Sequence, residues 1–230
     1  MQANVATGRR VALREITEKI DSSLSTGESL DIPDSLFKEA GFTGVPTALD
    51  KINELSQLVR AISAILDVFE DHQQIEYLTR LEIPDNGVLD LLVKFFPARV
   101  NFAIALRSQG GATITYREEK EALYRRNKSG GIKPWTPDHI YRLNEQEFYL
   151  RKYQNHLLGS SSRARCRPIV KLFVLTRGTI LGQHPEHLYV TFGTEKVVLI
   201  KKRISVYVME EKQLIPFFQG FLKQYSNSSN

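Results

Sequence analysis

Apolar residues recur at steps of three and four between residues 49 and 69, and this spacing predicts one long amphipathic helix. Shorter apolar runs follow the helix. The segment 84–87, Pro-Asp-Asn-Gly, is typical of a tight turn between two strands, because Asn-Gly favours hairpin geometry. The run 88–93 and the almost wholly apolar run 100–106 predict two more strands, the second of them central and buried. The beginning of the domain is therefore predicted to be a helix followed by a three-stranded meander.

A second helix is predicted to open at Pro137 and Asp138, and Gly159 is expected to stop it. The β-branched run 169–175 predicts the next strand. Further elements are predicted as a helix over 11–24, a projecting hairpin from 112–116 and 121–125, strands over 188–192, 197–200 and 204–208, and a last helix over 211–225. The alternation of helices and strands indicates a mixed fold of the α/β (α+β) class.

The chain is expected to divide into three parts: an N-terminal extension and linker over 1–48, one α/β domain over 49–225, and a disordered tail over 226–230. Cys166 is the sole cysteine, which excludes an internal disulfide framework. No apolar run approaches the roughly 20 residues that cross a bilayer, and no signal peptide is recognisable. We therefore expect a cytoplasmic protein with no membrane association.

The net charge of +5 is distributed unevenly along the chain. Residues 1–106 carry 10 Lys and Arg against 16 Asp and Glu, whereas residues 107–171 carry 14 against 6. A basic second half suits a polyanionic partner, because binding to phosphates releases condensed counterions. A solvated basic face without any partner is the alternative.

Asp90 lies within the second predicted strand of the meander, and the third strand ends in Ala105-Leu106-Arg107 before the turn Gly110-Gly111. This arrangement resembles the PD-(D/E)xK nuclease superfamily, in particular its nuclease-related branch, where an Asp on one strand is followed by a Glu-x-Lys triplet on the next. The resemblance implies an αβββαβ restriction-endonuclease-like core, a mixed central sheet flanked by helices. It also implies Mg²⁺- or Mn²⁺-dependent phosphodiester hydrolysis.

The motif is degenerate at two of its positions. Ala105 stands where the Glu is expected and cannot ligate a metal, and Arg107 stands where the Lys is expected. Arginine keeps the positive charge but stays protonated, so it is a poor general base. A buried Asp90 needs a metal or a partner, and Arg107 is a partner that would satisfy it without catalysis.

The resemblance still defines a candidate site. Asp90 would be a metal ligand and catalytic residue, completed by Glu76 or by Asp85 as a second ligand. Arg107 would stabilise charge, and Gln109, with Ser108, would contact the phosphate or the attacking water. Glu70 and Asp71 are further candidate carboxylates, and the solvated end of a helix is the simpler explanation for these two residues and for Glu76.

Two basic segments are candidate nucleic-acid contacts. The first surrounds the flexible Ser129-Gly130-Gly131 tip, and the second is a serine- and arginine-rich loop after the second long helix. Their members are Arg125, Arg126, Lys128 and Lys133 in the first and Arg163 and Arg165 in the second. Both segments offer phosphate-binding donors, and both are also explained as solvated surface.

Two functions follow from these observations. The first is a metal-dependent nuclease that acts on nucleic acid, with DNA as the expected substrate. The second is a catalytically inactive descendant of the same fold that binds DNA or a protein partner. A homodimer is compatible with either.

Overall fold

The computed structural model describes residues 2–43, 52–71, 74–201 and 205–228. The helices are α1 (Gln2–Thr26), α2 (Asp34–Glu39), α3 (Ile52–Phe69), α4 (His139–Tyr153), α5 (Ser162–Arg165) and α6 (Leu214–Ser228). The predicted helix over 49–69 is α3, and its predicted first turn lies outside the described residues. The second predicted helix is α4. It begins after Asp138, whose carboxylate accepts the Tyr141 N–H at 3.0 Å, and ends at Tyr153, six residues before Gly159.

Eleven strands are described. They are β1 (Ile75–Ile83), β2 (Gly87–Phe95), β3 (Val100–Arg107), β4 (Thr113–Arg117), β5 (Ala122–Arg126), β6 (Ile132–Pro134), β7 (Ile169–Leu175), β8 (Ile180–Leu181), β9 (Tyr189–Phe192), β10 (Glu195–Lys201) and β11 (Ser205–Glu210). The predicted Pro-Asp-Asn-Gly turn connects β1 to β2.

Seven of the strands form one mixed sheet in the order β1-β2-β3-β7-β11-β10-β9. The β3–β7 and β7–β11 pairs are parallel, and the remaining pairs are antiparallel. Helices α1, α3 and α6 cover one face of this sheet, and α4 covers the other. The prediction of a mixed α/β protein with a mixed sheet flanked by helices is confirmed.

The face beneath α3 and α6 is filled largely by aromatic rings. Phe102 on β3 lies 4.5 Å from Phe218 and 5.4 Å from Phe221, both on α6, measured between ring centroids in edge-on geometry. Phe95 joins them from β2. Edge-on aromatic pairs stabilise a core beyond the area that they bury, so this cluster fixes α6 on the sheet.

The N-terminal segment contributes to the same core. Leu13, Ile16 and Ile20 of α1 are at most 1% exposed and pack in the cluster that contains α3. Arg10 also donates to Glu70 and Asp71 beyond the end of α3. The predicted extension therefore includes a packed helix, because its apolar residues repeat at helical spacing and face α3. At the other end, α6 continues through Ser228, into the predicted tail.

The predicted projecting hairpin is part of a second, four-stranded sheet in the order β6-β5-β4-β8. Ile114, Tyr116 and Leu123 point from it into the cluster beneath α4 and are at most 8% exposed. Apolar residues alternate along β4 and β5, so one face of the hairpin must be buried. We call this four-stranded unit the small sheet. No helix in the described part of the chain is long and apolar enough to span a membrane.

Candidate functional site

Asp90 lies where β2 and β3 separate. The last paired residues of the two strands are Leu91 and Ile104. One position further, the Asp90 carboxylate accepts the Leu106 N–H at 2.8 Å and a hydrogen bond from the Arg107 guanidinium. The side chain thus replaces the backbone partner that β3 loses, and it closes this end of the strand pair.

Burial dominates the electrostatics of Asp90, whose side chain is 16% exposed. Burial raises the pKa of Asp90, while the charge of Arg107 and the hydrogen bond from Leu106 act in the opposite direction. A carboxylate in this position therefore depends on its guanidinium partner. The structure has the arrangement in which Arg107 satisfies Asp90, one of the two alternatives that the sequence leaves open.

A second carboxylate acts on Asp90 from an unpredicted position. The charge of Glu54, in the first turn of α3, raises the pKa of Asp90 further. Glu54 also lies 3.7 Å from the Arg80 guanidinium. Arg80 has a left-handed backbone (φ 52°) within β1, between Thr79 and Leu81, which pair with Leu91 and Leu89. Arg80 is therefore placed opposite Asp90 in the register.

Two further polar groups meet at the carboxyl end of β3. Gln109, just beyond the strand, accepts a hydrogen bond from Arg125 of β5 at 2.8 Å. Thr176, just beyond β7, donates its N–H to the Arg107 carbonyl at 2.9 Å and its hydroxyl to the Gln57 side chain. The structure thus brings Asp90 and Arg107 into contact, and Gln109, two residues beyond Arg107, binds Arg125, which the sequence indicates as a nucleic-acid contact.

The predicted additional metal ligands are elsewhere. Glu76 forms an ion pair with Lys94 at 2.8 Å and lies opposite it in the β1–β2 register. Lys94 is four residues from Asp90 along β2. At the usual rise per residue that separation is about 13 Å. Asp85 lies in the turn that connects β1 to β2, outside both strands. Glu70 and Asp71 are engaged by arginines of α1.

The residues around Asp90 do not fit Mg²⁺ or Mn²⁺. These ions bind clusters of oxygen ligands that include carboxylates, and the described residues contain no group of three metal-ligating side chains. Arg80 and Arg107 each face one of the two nearby carboxylates. A divalent cation would have to compete with a guanidinium for each of these carboxylates.

The predicted nucleic-acid contacts fall into two classes. Arg126, Lys128 and Lys133 are exposed on the β5–β6 hairpin, and Arg163 is exposed on α5. Arg165 is instead held within its own loop, where its guanidinium donates to the carbonyls of Gly159 (3.3 Å) and Ser160 (3.1 Å). Arg165 therefore shapes the serine-rich loop as well as carrying charge.

His139 is a component of the site region that no sequence motif marks. It begins α4, and its ring packs against Trp135 and Phe173. Burial, together with the smaller contributions of the Arg107 and Arg142 charges, lowers the pKa of His139 to about 4. The imidazole is therefore neutral at physiological pH.

We expect His139 to make the protein less stable in acid. The unfolded chain takes up a proton near pH 6.5 and the folded chain only near pH 4, so the unfolding free energy falls as pH drops through this window. The linked loss is about 3 kcal/mol at most. Replacing His139 with phenylalanine should remove this component, measured by urea unfolding across the same pH range. An equally steep acid loss in the variant would contradict the assignment.

No protein family, curated protein or solved structure matches the chain. Fold resemblance alone assigns no activity, because function depends on the site.

Proposed function

We propose that this protein is a nucleic-acid-binding module with a nuclease-like core. In this core the Arg107 guanidinium binds the Asp90 carboxylate, which in a nuclease would hold a metal. The order of elements supports the resemblance to PD-(D/E)xK nucleases. Helix α3, strands β1 to β3, helix α4 and strand β7 occur in this order, with β4 to β6 inserted before α4 and α5 before β7. Strands β1-β2-β3-β7 are adjacent in the sheet.

The pairing of Asp90 with Arg107 is the observation that carries the proposal. The carboxylate already accepts hydrogen bonds from the Arg107 guanidinium and the Leu106 N–H. A metal would have to displace the guanidinium and still lack the carboxylate that Ala105 does not provide. The same arginine is suited to holding the partly buried carboxylate in place.

The charge around the small sheet supports the choice of partner. Residues 107–134 contain seven Lys and Arg against three Glu. Arg126, Lys128 and Lys133 are exposed there. Such a surface binds phosphates without a metal ion, and its affinity falls with salt.

The proposal is tested by incubating the protein with supercoiled plasmid, linear duplex and single strands in Mg²⁺, Mn²⁺ or EDTA. We expect retarded mobility in all three conditions and no cleavage, and the Asp90→Asn variant should behave in the same way. Metal-dependent cleavage that is lost in Asp90→Asn would contradict the proposal. Neither cleavage nor retardation would also contradict it and would favour a protein partner.

Metal-dependent phosphodiester hydrolysis is the second candidate function, and one observation favours it. Glu54 lies 3.7 Å from Arg80, which the register places opposite Asp90, so a second carboxylate lies on this side of β2. If this candidate is correct, Glu54→Gln and Asp90→Asn must each abolish cleavage. Glu76→Gln serves as the control, because Glu76 is paired with Lys94 away from this site.

A further inference from the structure

The outer face of the small sheet forms an open groove of about 380 Å³. Its lining consists of Thr113, Thr115, Arg117, Arg126, Ile132, Gly182 and Gln183. This groove is separate from the Asp90 site. Arg125, which donates to Gln109 beside that site, pairs with the buried Ile114 and therefore lies on the other face of β5. We call it the small-sheet groove.

Two arginines define the length of the small-sheet groove. Arg126 of β5 pairs with Thr113 of β4, and Arg117 lies four residues further along β4 on the same face. At the rise of a strand the two positions are about 13 Å apart. Neither guanidinium has an ion-pair partner within the described ranges. Both are therefore available to an anionic chain that lies along the strands.

The floor between the arginines suits flat, partly apolar groups. Tyr124 pairs with Thr115 and points to the same face, and the Arg117 guanidinium lies 4.5 Å from its ring centroid. Ile132, which pairs with Arg126, is 42% exposed. Aromatic rings and guanidinium planes are the groups on which unpaired bases stack. Threonine hydroxyls and the Gln183 amide add hydrogen-bonding groups for base edges or sugars.

The groove is preformed, because its edge is fixed to the rest of the fold. Gly182 donates its N–H to the Ile114 carbonyl at 2.8 Å, and a Cβ at this position would lie 2.5 Å from Thr115 Cγ2. The preceding Leu181 N–H donates to Glu210 of the main sheet at 2.9 Å. A ligand therefore meets an ordered surface, which lowers the entropic cost of binding.

We propose that the small-sheet groove binds single-stranded nucleic acid, with phosphates at Arg117 and Arg126 and bases over the floor between them. This inference rests on the proposed function and specifies the form of nucleic acid and its location. Single strands fit better than a duplex because the stacking groups are useful only to bases that are not already paired and stacked.

The test is fluorescence anisotropy with short single-stranded DNA and RNA oligonucleotides and a duplex of the same length, measured across a salt series. The test variant is Arg117→Glu combined with Arg126→Glu. The charge-matched control is Arg14→Glu combined with Arg60→Glu, since both residues are exposed on α1 and α3. Losing two phosphate contacts should reduce the single-strand salt slope by about 1.4 and the affinity by tenfold or more at low salt.

The control should bind single strands like wild type, and Arg117→Lys with Arg126→Lys should retain most of the affinity. Unchanged single-strand affinity and slope in the glutamate variant would overturn the groove assignment while leaving the proposed function intact. A wild-type protein that binds no oligonucleotide would instead overturn the proposed function.

A second measurement does not depend on the folding of any variant. Oligonucleotides that carry photoreactive bases are crosslinked to the wild-type protein, and the modified peptides are mapped. We expect adducts on Tyr124 or its neighbours in β4 to β6. Adducts confined to α5 or to α4 would overturn the inference.

Discussion

Replacing Arg107 with alanine is expected to lower the unfolding free energy by about 3–5 kcal/mol at neutral pH, because it leaves the largely buried Asp90 carboxylate without its partner. Urea unfolding of the variant measures the loss. Arg60→Ala is the matched control, since it breaks an exposed pair with Asp21 and should cost less than about 1 kcal/mol.

The same variant should recover in acid. Without Arg107, burial raises the pKa of Asp90 with less opposition, so the folded chain holds the Asp90 proton more tightly than the unfolded chain does. The loss of unfolding free energy is therefore complete above the raised pKa of Asp90, and it becomes smaller as the pH falls through that pKa. Adding Asp90→Asn should restore much of the loss at neutral pH. A deficit that is independent of pH and unaffected by Asp90→Asn would show that Arg107 contributes through packing alone.

Replacing Gly220 with alanine is expected to cost about 3 kcal/mol, because α6 contacts the sheet through this residue. An added Cβ would lie 2.5 Å from the Phe192 carbonyl carbon and 2.6 Å from its oxygen, at the end of β9. Backbone atoms cannot rotate away as a side chain can, so α6 must move and disturb the phenylalanine cluster beneath it. Thermal or urea unfolding measures the change.

Gly8→Ala provides the control for this prediction. It makes the same chemical change within helix α1, where no atom lies within 4 Å of the new Cβ. Helix propensity alone predicts that this variant gains up to about 1 kcal/mol. If Gly220→Ala and Gly8→Ala have the same unfolding free energy, α6 does not pack closely on β9 at Gly220.

Much of the fold could be predicted from local patterns. The apolar spacing before Phe69 predicts α3. The Asn86-Gly87 turn and the apolar run before Arg107 predict the meander β1 to β3. The packing of α1 was not predicted, because its apolar residues are separated from the domain by a polar segment. Only the contact with α3 shows that they belong to the core.

The candidate site was predicted less completely, and helix direction explains the main omission. From the sequence alone, the carboxylates closest to β1 along the chain are those at the end of α3. Helix α3 and strand β1 have similar lengths, about 27 and 30 Å by their rise per residue. A chain that reverses between them places the beginning of the helix beside the end of the strand. That geometry places Glu54, and not Glu70, beside Arg80, the residue opposite Asp90 in the register.

The pairing of Asp90 with Arg107 was one of two alternatives that the sequence could not separate. Residues 90 and 107 are on different strands, so their contact depends on the register and on where the strands part. The register places Asp90 one residue beyond the last β2–β3 pair, where its carboxylate reaches the Leu106 N–H. The structure thereby favours a structural role for the Asp90–Arg107 pair. Nucleic-acid binding by the protein is a proposal.

Binding of single-stranded and duplex nucleic acid in EDTA, followed across a salt series, tests the central claim most directly. A cationic surface that works without a metal predicts measurable binding in EDTA. It also predicts a logarithmic affinity that falls linearly with the logarithm of salt concentration, with a slope equivalent to several phosphate contacts. Absence of binding in EDTA, or binding that appears only when Mg²⁺ is added and is lost in Asp90→Asn, would contradict the account.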